Sequence, residues 1–323
     1  EVPQPGDDFD LDKLAQTSMK FLSLTVDGRS AGLANAMTAA DMPNAAAMFH
    51  NPSQMAQMEG SASVMLARAS WLADIKHNVA GLAYQPGFGQ YGVFGLTVRS
   101  VDYGSFRKTV LADNDRGFEQ IGTYSPTALS VGLGYARSLT DRIRVGANFK
   151  YATQDLGDHV IRFAEDGSPN SRSYDVSTPV FDFGLVYETG FRSLDFAFSI
   201  RNFSQEVSYA DASFELPLTF RIGVAMDMID LTPLNDQMHD FNLTVDARRS
   251  RDFDEQVRLG GEYLFMNTLA LRGGYAFPTS EEAFSAGVGL QQSIGDLSGA
   301  FNYAYTDFGI FNDVHRLSVN VGF

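Results

Sequence analysis

Hydrolytic or metal chemistry would start from the five histidines, His50, His77, His159, His239 and His315. No two stand at a ligand spacing such as His-x3-His, and none sits beside a serine and an aspartate placed for nucleophilic attack. The chain has no cysteine, which removes disulfides, thiolate metal sites and thiol catalysis together. No Gly-rich loop leads into a helix, so phosphate groups have no cradle. Asp113-Asn114-Asp115-Arg116-Gly117 resembles the opening of a calcium loop, but the later ligands are missing and a solvated acidic loop fits better. The residue types therefore point to no enzyme, no metal and no cofactor.

The remaining chemistry is charge, and its spacing is regular. Leu317, Val319, Val321 and Phe323 would share one face of a strand, with Arg316, Ser318, Asn320 and Gly322 on the other. Ile143, Val145, Ala147, Phe149 and Tyr151 likewise oppose Arg142, Arg144, Gly146, Asn148 and Lys150. The same polar face collects Asp182, Asp195, Arg201, Arg221, Asp246, Arg248, Arg258, Glu262 and Arg272. With Arg142, Arg144, Lys150 and Arg316, that makes nine basic and four acidic residues in a chain that is acidic overall. Such groups cost several kcal/mol each if dry and unpaired, so they require carboxylates, water or an inserted polar segment. Arg144, Arg221, Asp246, Arg258, Glu262, Arg272 and Arg316 are the expected core of this inward network.

Strands must position these residues. Alternation predicts fourteen, at 61–72, 76–86, 90–102, 120–138, 141–155, 177–188, 192–203, 214–229, 240–250, 254–265, 267–276, 282–293, 297–307 and 313–323. The first two alternate poorly. Each is long enough to cross hydrocarbon at a tilt, and an even number closes antiparallel with both ends on one side. Short connections at Pro86–Gln90, Leu139–Arg142, Met266–Thr268 and Ile294–Asp296 contrast with longer ones near 103–119, 156–176, 204–213 and 277–281. Short turns belong on the periplasmic side and long loops outside. Asp230–His239 breaks that trend. The fold class is all-β: a transmembrane antiparallel up-and-down barrel of about fourteen strands over 61–323, in the bacterial outer membrane and bounded by its lipid.

Composition agrees. A formal charge of −15 excludes a nucleic-acid partner and a polybasic grip on anionic lipid. No window holds 18 apolar residues in succession, so no helix is expected to span a membrane. The 30 Gly, 26 Phe and 13 Tyr suit a sheet with one greasy face, one polar face and aromatic edges. Glu1-Val2-Pro3 reads as a mature start from which a targeting segment has been removed. A soluble β-sandwich also alternates, but its strands are shorter and these apolar rows would aggregate in water.

Residues 1–60 do not alternate. Ala31 to Ala56 is rich in Ala, Met and Asn, permitting short helices and close packing, and Asn51-Pro52 marks a turn near its end. A barrel of this size leaves space in its middle, so this segment is expected to be a plug or hatch, with a surface appendage as the alternative. Phe308, Gly309, Ile310 and Phe311 form an apolar cluster in the last outer loop. It is either aromatic girdle or a contact for a partner protein through Phe308, Ile310 and Phe311.

Ser30-Ala31-Gly32-Leu33-Ala34-Asn35-Ala36 followed by Phe49-His50-Asn51-Pro52-Ser53-Gln54-Met55-Ala56 resembles the N-terminal signature of the PorV/PorQ family, relatives of the fatty-acid channel FadL. Leu216-Pro217-Leu218-Thr219-Phe220-Arg221-Ile222-Gly223-Val224, Leu269-Ala270-Leu271-Arg272-Gly273-Gly274-Tyr275 and His315-Arg316-Leu317-Ser318 resemble it further, so the likeness runs from about Phe21 onward. It implies a fourteen-stranded FadL-like barrel and a role in type IX secretion, binding another outer-membrane protein or an exported cargo. The alternative is a FadL-like transporter of hydrophobic small molecules, which needs a continuous apolar pocket. The inward positions of strands five to fourteen are mostly Gly, Ala, Ser, Asn and charge, which favours the interaction protein, although a pocket built from the plug itself would escape that argument. An open porin stands third, opposed by the plug.

Overall fold

The computed structural model describes residues 17–163, 169–209, 212–234, 238–279, 282–309 and 313–323. Fourteen of its strands close into one antiparallel barrel, and four others form two hairpins outside the closed sheet. The first half of the chain holds β1 (Ala62–Ser70), β2 (Lys76–Tyr84), β3 (Val93–Asp102), β4 (Phe106–Leu111), β5 (Phe118–Tyr124), β6 (Thr127–Thr140), β7 (Ile143–Phe163), β8 (Pro169–Glu188) and β9 (Asp195–Phe203). The second half begins with β10 (Val207–Tyr209), β11 (Ala212–Phe214), β12 (Thr219–Asp227), β13 (His239–Ser250) and β14 (Gln256–Phe265). It ends with β15 (Leu269–Phe277), β16 (Phe284–Ile294), β17 (Leu297–Thr306) and β18 (Val314–Gly322). Closure is made by β1 against β18, with Met65 opposite Asn320 and Leu66 opposite Val319. Closure leaves no edge strand, which is what allows a sheet to stand in lipid.

Each sequence-predicted strand meets one barrel strand. The fourth segment, 120–138, is divided: its first part belongs to β5, which pairs with β4 in a separate hairpin. The barrel strand β6 begins only after Pro126, which has no N–H to give to a ladder. A second small hairpin, β10 with β11, rises between β9 and β12. β7 and β8 run on as a paired ribbon far past the other strands. All three lie on the side of the long connections, the outer face. Asp230–His239 contains part of a 3-10 turn, Met228–Leu231, whose first free N–H is capped by Asp227.

The two faces sort as alternation requires. Leu66, Leu133, Val288, Leu290, Phe301 and Leu317 point outward and are exposed, where lipid would cover them. Arg144, Lys150, Asp182, Arg201, Arg221, Asp246, Arg248, Arg258, Glu262, Arg272 and Arg316 point inward and are buried. Arg142 departs from the expectation. It sits in the tight turn before β7 and is exposed, because the strand begins two residues later than the predicted 141–155.

The folded protein should resist SDS when unheated and shift in mobility after boiling, since opening requires a whole strand–strand interface to break. Val288→Arg, at mid-strand on the lipid face, should cost about 2–4 kcal/mol; Gln291→Arg, on the inner face of the same strand, should cost far less. Equal heat-modifiability midpoints for the two variants would contradict this assignment of faces.

Candidate functional site

Residues 17–58 pack against the inner wall and are almost wholly buried. Little of this lumenal segment is regular: 3-10 turns at Lys20–Leu22, Ala45–Phe49 and Pro52–Gln57, and a short helix α1 (Gly28–Gly32). Local side chains start these pieces. Asp27 accepts from the Ser30 N–H, Asn44 from that of Ala46 and Asn51 from that of Ser53. Between them the backbone makes few bonds to itself, so many carbonyls must find donors elsewhere.

Arginines of the wall supply those donors. Arg99 donates to the carbonyls of Phe21 and Leu24, and Arg316 Nε to that of Thr25 at 2.9 Å. Arg258 donates to the Ala34 carbonyl at 2.9 Å, while Arg201 and Arg221 reach those of Leu22 and Asn35 at a long 3.4 Å. The carboxylates do the complementary work. Asp246 accepts from the Thr38 N–H and hydroxyl, at 3.0 and 2.7 Å. Glu262 is gripped by Arg29 of the lumenal segment, at 3.0 and 2.7 Å, and by Arg272 of the neighbouring strand. Arg144 is paired within the wall instead, with Glu188 at 2.8 Å and Asp195 at 3.1 Å. The inward arginines therefore meet peptide carbonyls more often than opposing acids.

Glycines let the backbone come close enough for those bonds. A Cβ on Gly274 would stand 2.3 Å from the Ala34 nitrogen, and one on Gly146 would stand 2.5 Å from the Pro52 carbonyl carbon. Gly184 makes room for the Asn51 side chain instead. Asn51 is fully buried, and its amide donates to the Thr38 carbonyl at 2.8 Å, so Asn51-Pro52 ties two stretches of the segment together against β7 and β8.

His50 approaches Ser30 Oγ at 2.9 Å, and Ser30 donates its proton to Asp27 at 2.6 Å. That arrangement is not a nucleophile's triad, because the carboxylate orients the serine and not the imidazole. With the hydroxyl proton committed to Asp27, His50 Nε2 must carry its own proton and donate, which leaves Nδ1 without a partner. Burial, with Arg201, Arg221 and Arg99 nearby, holds the His50 pKa well below its usual value.

The outer mouth has different chemistry. The inward positions at the outer ends of four adjacent strands are Val101, Ala128, Ala152 and Val180. They meet Met19, Phe21 and Leu22 of the lumenal segment, Val207 of β10 and Leu216. Tyr103, Tyr209 and Phe214 border this cluster, and the two tyrosine hydroxyls are bridged by Gln154 at 3.2 and 2.9 Å. The mostly small and charged inner face expected of strands five to fourteen does not extend to the earlier strands, where Val101 here and Met65, Val79 and Val93 elsewhere on the wall point inward.

Phe308 is not a surface contact. It is buried and packs edge-to-face on Trp71 with ring centres 5.1 Å apart. Ile310 and Phe311 lie outside the described residues. Asp113–Gly117 forms the exposed tip of the β4–β5 hairpin, where Asn114 accepts from the Arg116 N–H at 2.9 Å. No cluster of metal-ligating side chains occurs among the described residues.

No family model matches the chain, and no curated protein matches it. Solved structures do. The CymD monoaromatic hydrocarbon channel aligns with a TM-score of 0.56 at 13% identity, over 92% of this chain and 97% of that one. The Ralstonia pickettii toluene transporter TbuX gives 0.54 at 14%, over 90% and 96%. A Pseudomonas aeruginosa FadL homologue gives 0.53 at 13%, over 92% and 98%. The fold is that of a FadL-like outer-membrane β-barrel. With its greasy outer belt, its place is the bacterial outer membrane.

Gly274→Leu should expel the lumenal segment and raise single-channel conductance in planar bilayers, because the atoms its side chain meets are backbone. Gly273→Leu, whose Cβ meets nothing within 4 Å, should leave conductance unchanged. Because His50 stays neutral when folded and protonates near 6.5 when unfolded, its contribution penalises the fold as pH drops below about 6.5, by up to about 1.4 kcal/mol per pH unit. His50→Gln should therefore flatten the fall in heat-modifiability midpoint between pH 7 and 5. An identical slope in the variant would remove His50 as the cause.

Proposed function

We propose that this protein binds small hydrophobic molecules at its outer mouth and passes them inward when the lumenal segment, acting as a plug, yields. The observation that carries this reading is the apolar cluster of Phe21, Leu22, Val101, Val180, Val207 and Leu216 at the outer end of the lumen, beside a second apolar cluster on the β1–β3 side that includes Met48, Met65 and Val79. The cluster is buried and so helps to hold the segment in place, and a hydrophobic guest needs a lining of the same kind. The names of the similar structures, a monoaromatic hydrocarbon channel and a toluene transporter, support it. Passage requires plug movement, because the lumenal segment fills the barrel: Met48, Phe49 and Met55 are buried against the wall at Met65, Val79 and Val93.

A second reading has its own observation. The β4–β5 hairpin holds Phe106, Leu111, Phe118 and Ile121 exposed outside the barrel. Exposed apolar side chains on a rigid scaffold suit a protein partner. That is the form a PorV/PorQ-type role in type IX secretion would take, with Ile310 and Phe311 as further candidates for the contact. The PorV/PorQ likeness rests on the sequence motifs alone.

An environment-sensitive naphthalene dye should bind purified protein saturably. Phe21→Ser with Leu216→Ser should weaken that binding about tenfold or more, from the apolar area removed. Absence of saturable binding to the wild-type protein would reject the first reading. In an organism with type IX secretion, a clean deletion that strands cargo in the periplasm while hydrocarbon uptake stays normal would establish the second.

A further inference from the structure

The lumen holds one chamber whose positive charge exceeds its acids. It lies between the lumenal segment and the inner faces of β3, β6, β7, β8 and β9, and has a volume of about 10 Å³. Arg99, Lys150, Arg201, Asn148 and Asp182 line it, with Phe49 and Leu22 closing its apolar side. Three cations thus share one carboxylate.

That carboxylate is already committed. Asp182 pairs with Lys150 Nζ at 2.8 Å and accepts from the Asn202 backbone N–H at 2.8 Å. Asn202 has a φ of 60°, in the left-handed region, beside the place where the β8–β9 register shifts, and Asp182 replaces the ladder bond lost there. Lys150 spends another donor on Asn202 Oδ1 at 2.8 Å. Asp182 therefore neutralises Lys150 and fixes the bulge, leaving two arginines over.

Arg99 and Arg201 are each 4% exposed, and neither meets a carboxylate among the described residues. Arg99 gives its bonds to the carbonyls of Phe21 and Leu24 and stacks its guanidinium over Phe49 at 5.6 Å. Arg201 makes one long bond to Leu22, and its Nε has no acceptor at all. Carbonyls satisfy donors but do not cancel charge, and buried charges are ordinarily paired.

We propose that this chamber holds one small inorganic anion of halide size, bound between Arg99 and Arg201. Charge selects an anion over water, since a water would satisfy the orphaned Nε yet leave two positive charges facing one another. Volume rules out polyatomic anions, since the chamber has the scale of a single water and cannot take a carboxylate or phosphate, and a halide, somewhat larger than water, enters with a slight parting of the two arginine side chains. Such an ion would fasten the lumenal segment to the wall through Arg99 and Leu22, at the junction of the charged belt and the apolar mouth.

The test is a diffraction experiment on the full chain, crystallised with bromide in place of chloride and recorded at the bromine edge. The expected result is an anomalous peak in the chamber for the wild-type protein and for Arg201→Lys, and none for Arg201→Gln. In parallel, replacing chloride by gluconate should lower the heat-modifiability midpoint of the wild type by several degrees and leave that of Arg201→Gln unmoved. A wild-type chamber without bromide signal overturns the proposal, whatever the variants do. Should Arg201→Gln fail to fold, the wild-type bromide map decides alone.

Discussion

The structure depends on one exchange: arginine N–H groups of the barrel wall for peptide carbonyls of the segment inside it. A filled barrel faces two shortages at once. Its wall, antiparallel and closed, has side chains but no spare backbone donors, while an irregular chain in its lumen has carbonyls with nowhere to turn. Arginine answers both, because it carries five donors in a planar fork on a long stem and stays charged when buried. Arg99, Arg258 and Arg316 reach carbonyls that no strand or helix could serve. A helical filling would have satisfied itself and needed no such wall.

The same exchange accounts for the composition. Arginines can bond to a backbone only if that backbone approaches the sheet, and approach is possible only where the wall has no Cβ. Gly146 and Gly274 stand at such points, and at Gly274 the glycine and an arginine act on one contact, since Arg258 bonds the Ala34 carbonyl beside it. The inward acids are few, and each holds a particular partner. Asp246 binds Thr38, Glu262 binds Arg29 and Asp182 binds Lys150. The remaining negative charge of the chain is free to lie in loops and rims, which is how an acidic protein comes to have a cationic interior.

Strand number, closure and the sorting of faces were legible because period-two alternation is a direct record of which side meets lipid. The inward placement of Arg144, Arg221, Asp246, Arg258, Glu262, Arg272 and Arg316 was readable for the same reason. That of Arg99 was not, because β3 carries valines on both faces, Val93 and Val101 inside and Val98 toward the lipid, and so does not declare its orientation. The apolar mouth escaped for a related reason: Val101 and Val180 look like ordinary strand residues, and only the three-dimensional stagger puts them level with Phe21 and Leu216. Partners of the arginines were beyond reach, since peptide carbonyls leave no trace in side-chain sequence. Phe308 misled because an aromatic in a loop gives no sign of folding back onto Trp71.

Two kinds of cohesion therefore hold the lumenal segment, and they respond to different events. The apolar mouth is held by exclusion of water, so under the proposed function a hydrophobic guest would replace Leu22 or Phe21 against the wall at little net cost. The arginine belt is held by charge-assisted hydrogen bonds, each worth about 1.5–3 kcal/mol net, which entering water would replace in part. A dry belt is secure and a wet one is loose. Insertion at the mouth, by lifting the residues that seal the belt from outside, would admit the water that loosens it. Under the proposed function such coupling would need no relay of moving side chains: the ligand would compete for the seal, and hydration would release the contacts beneath.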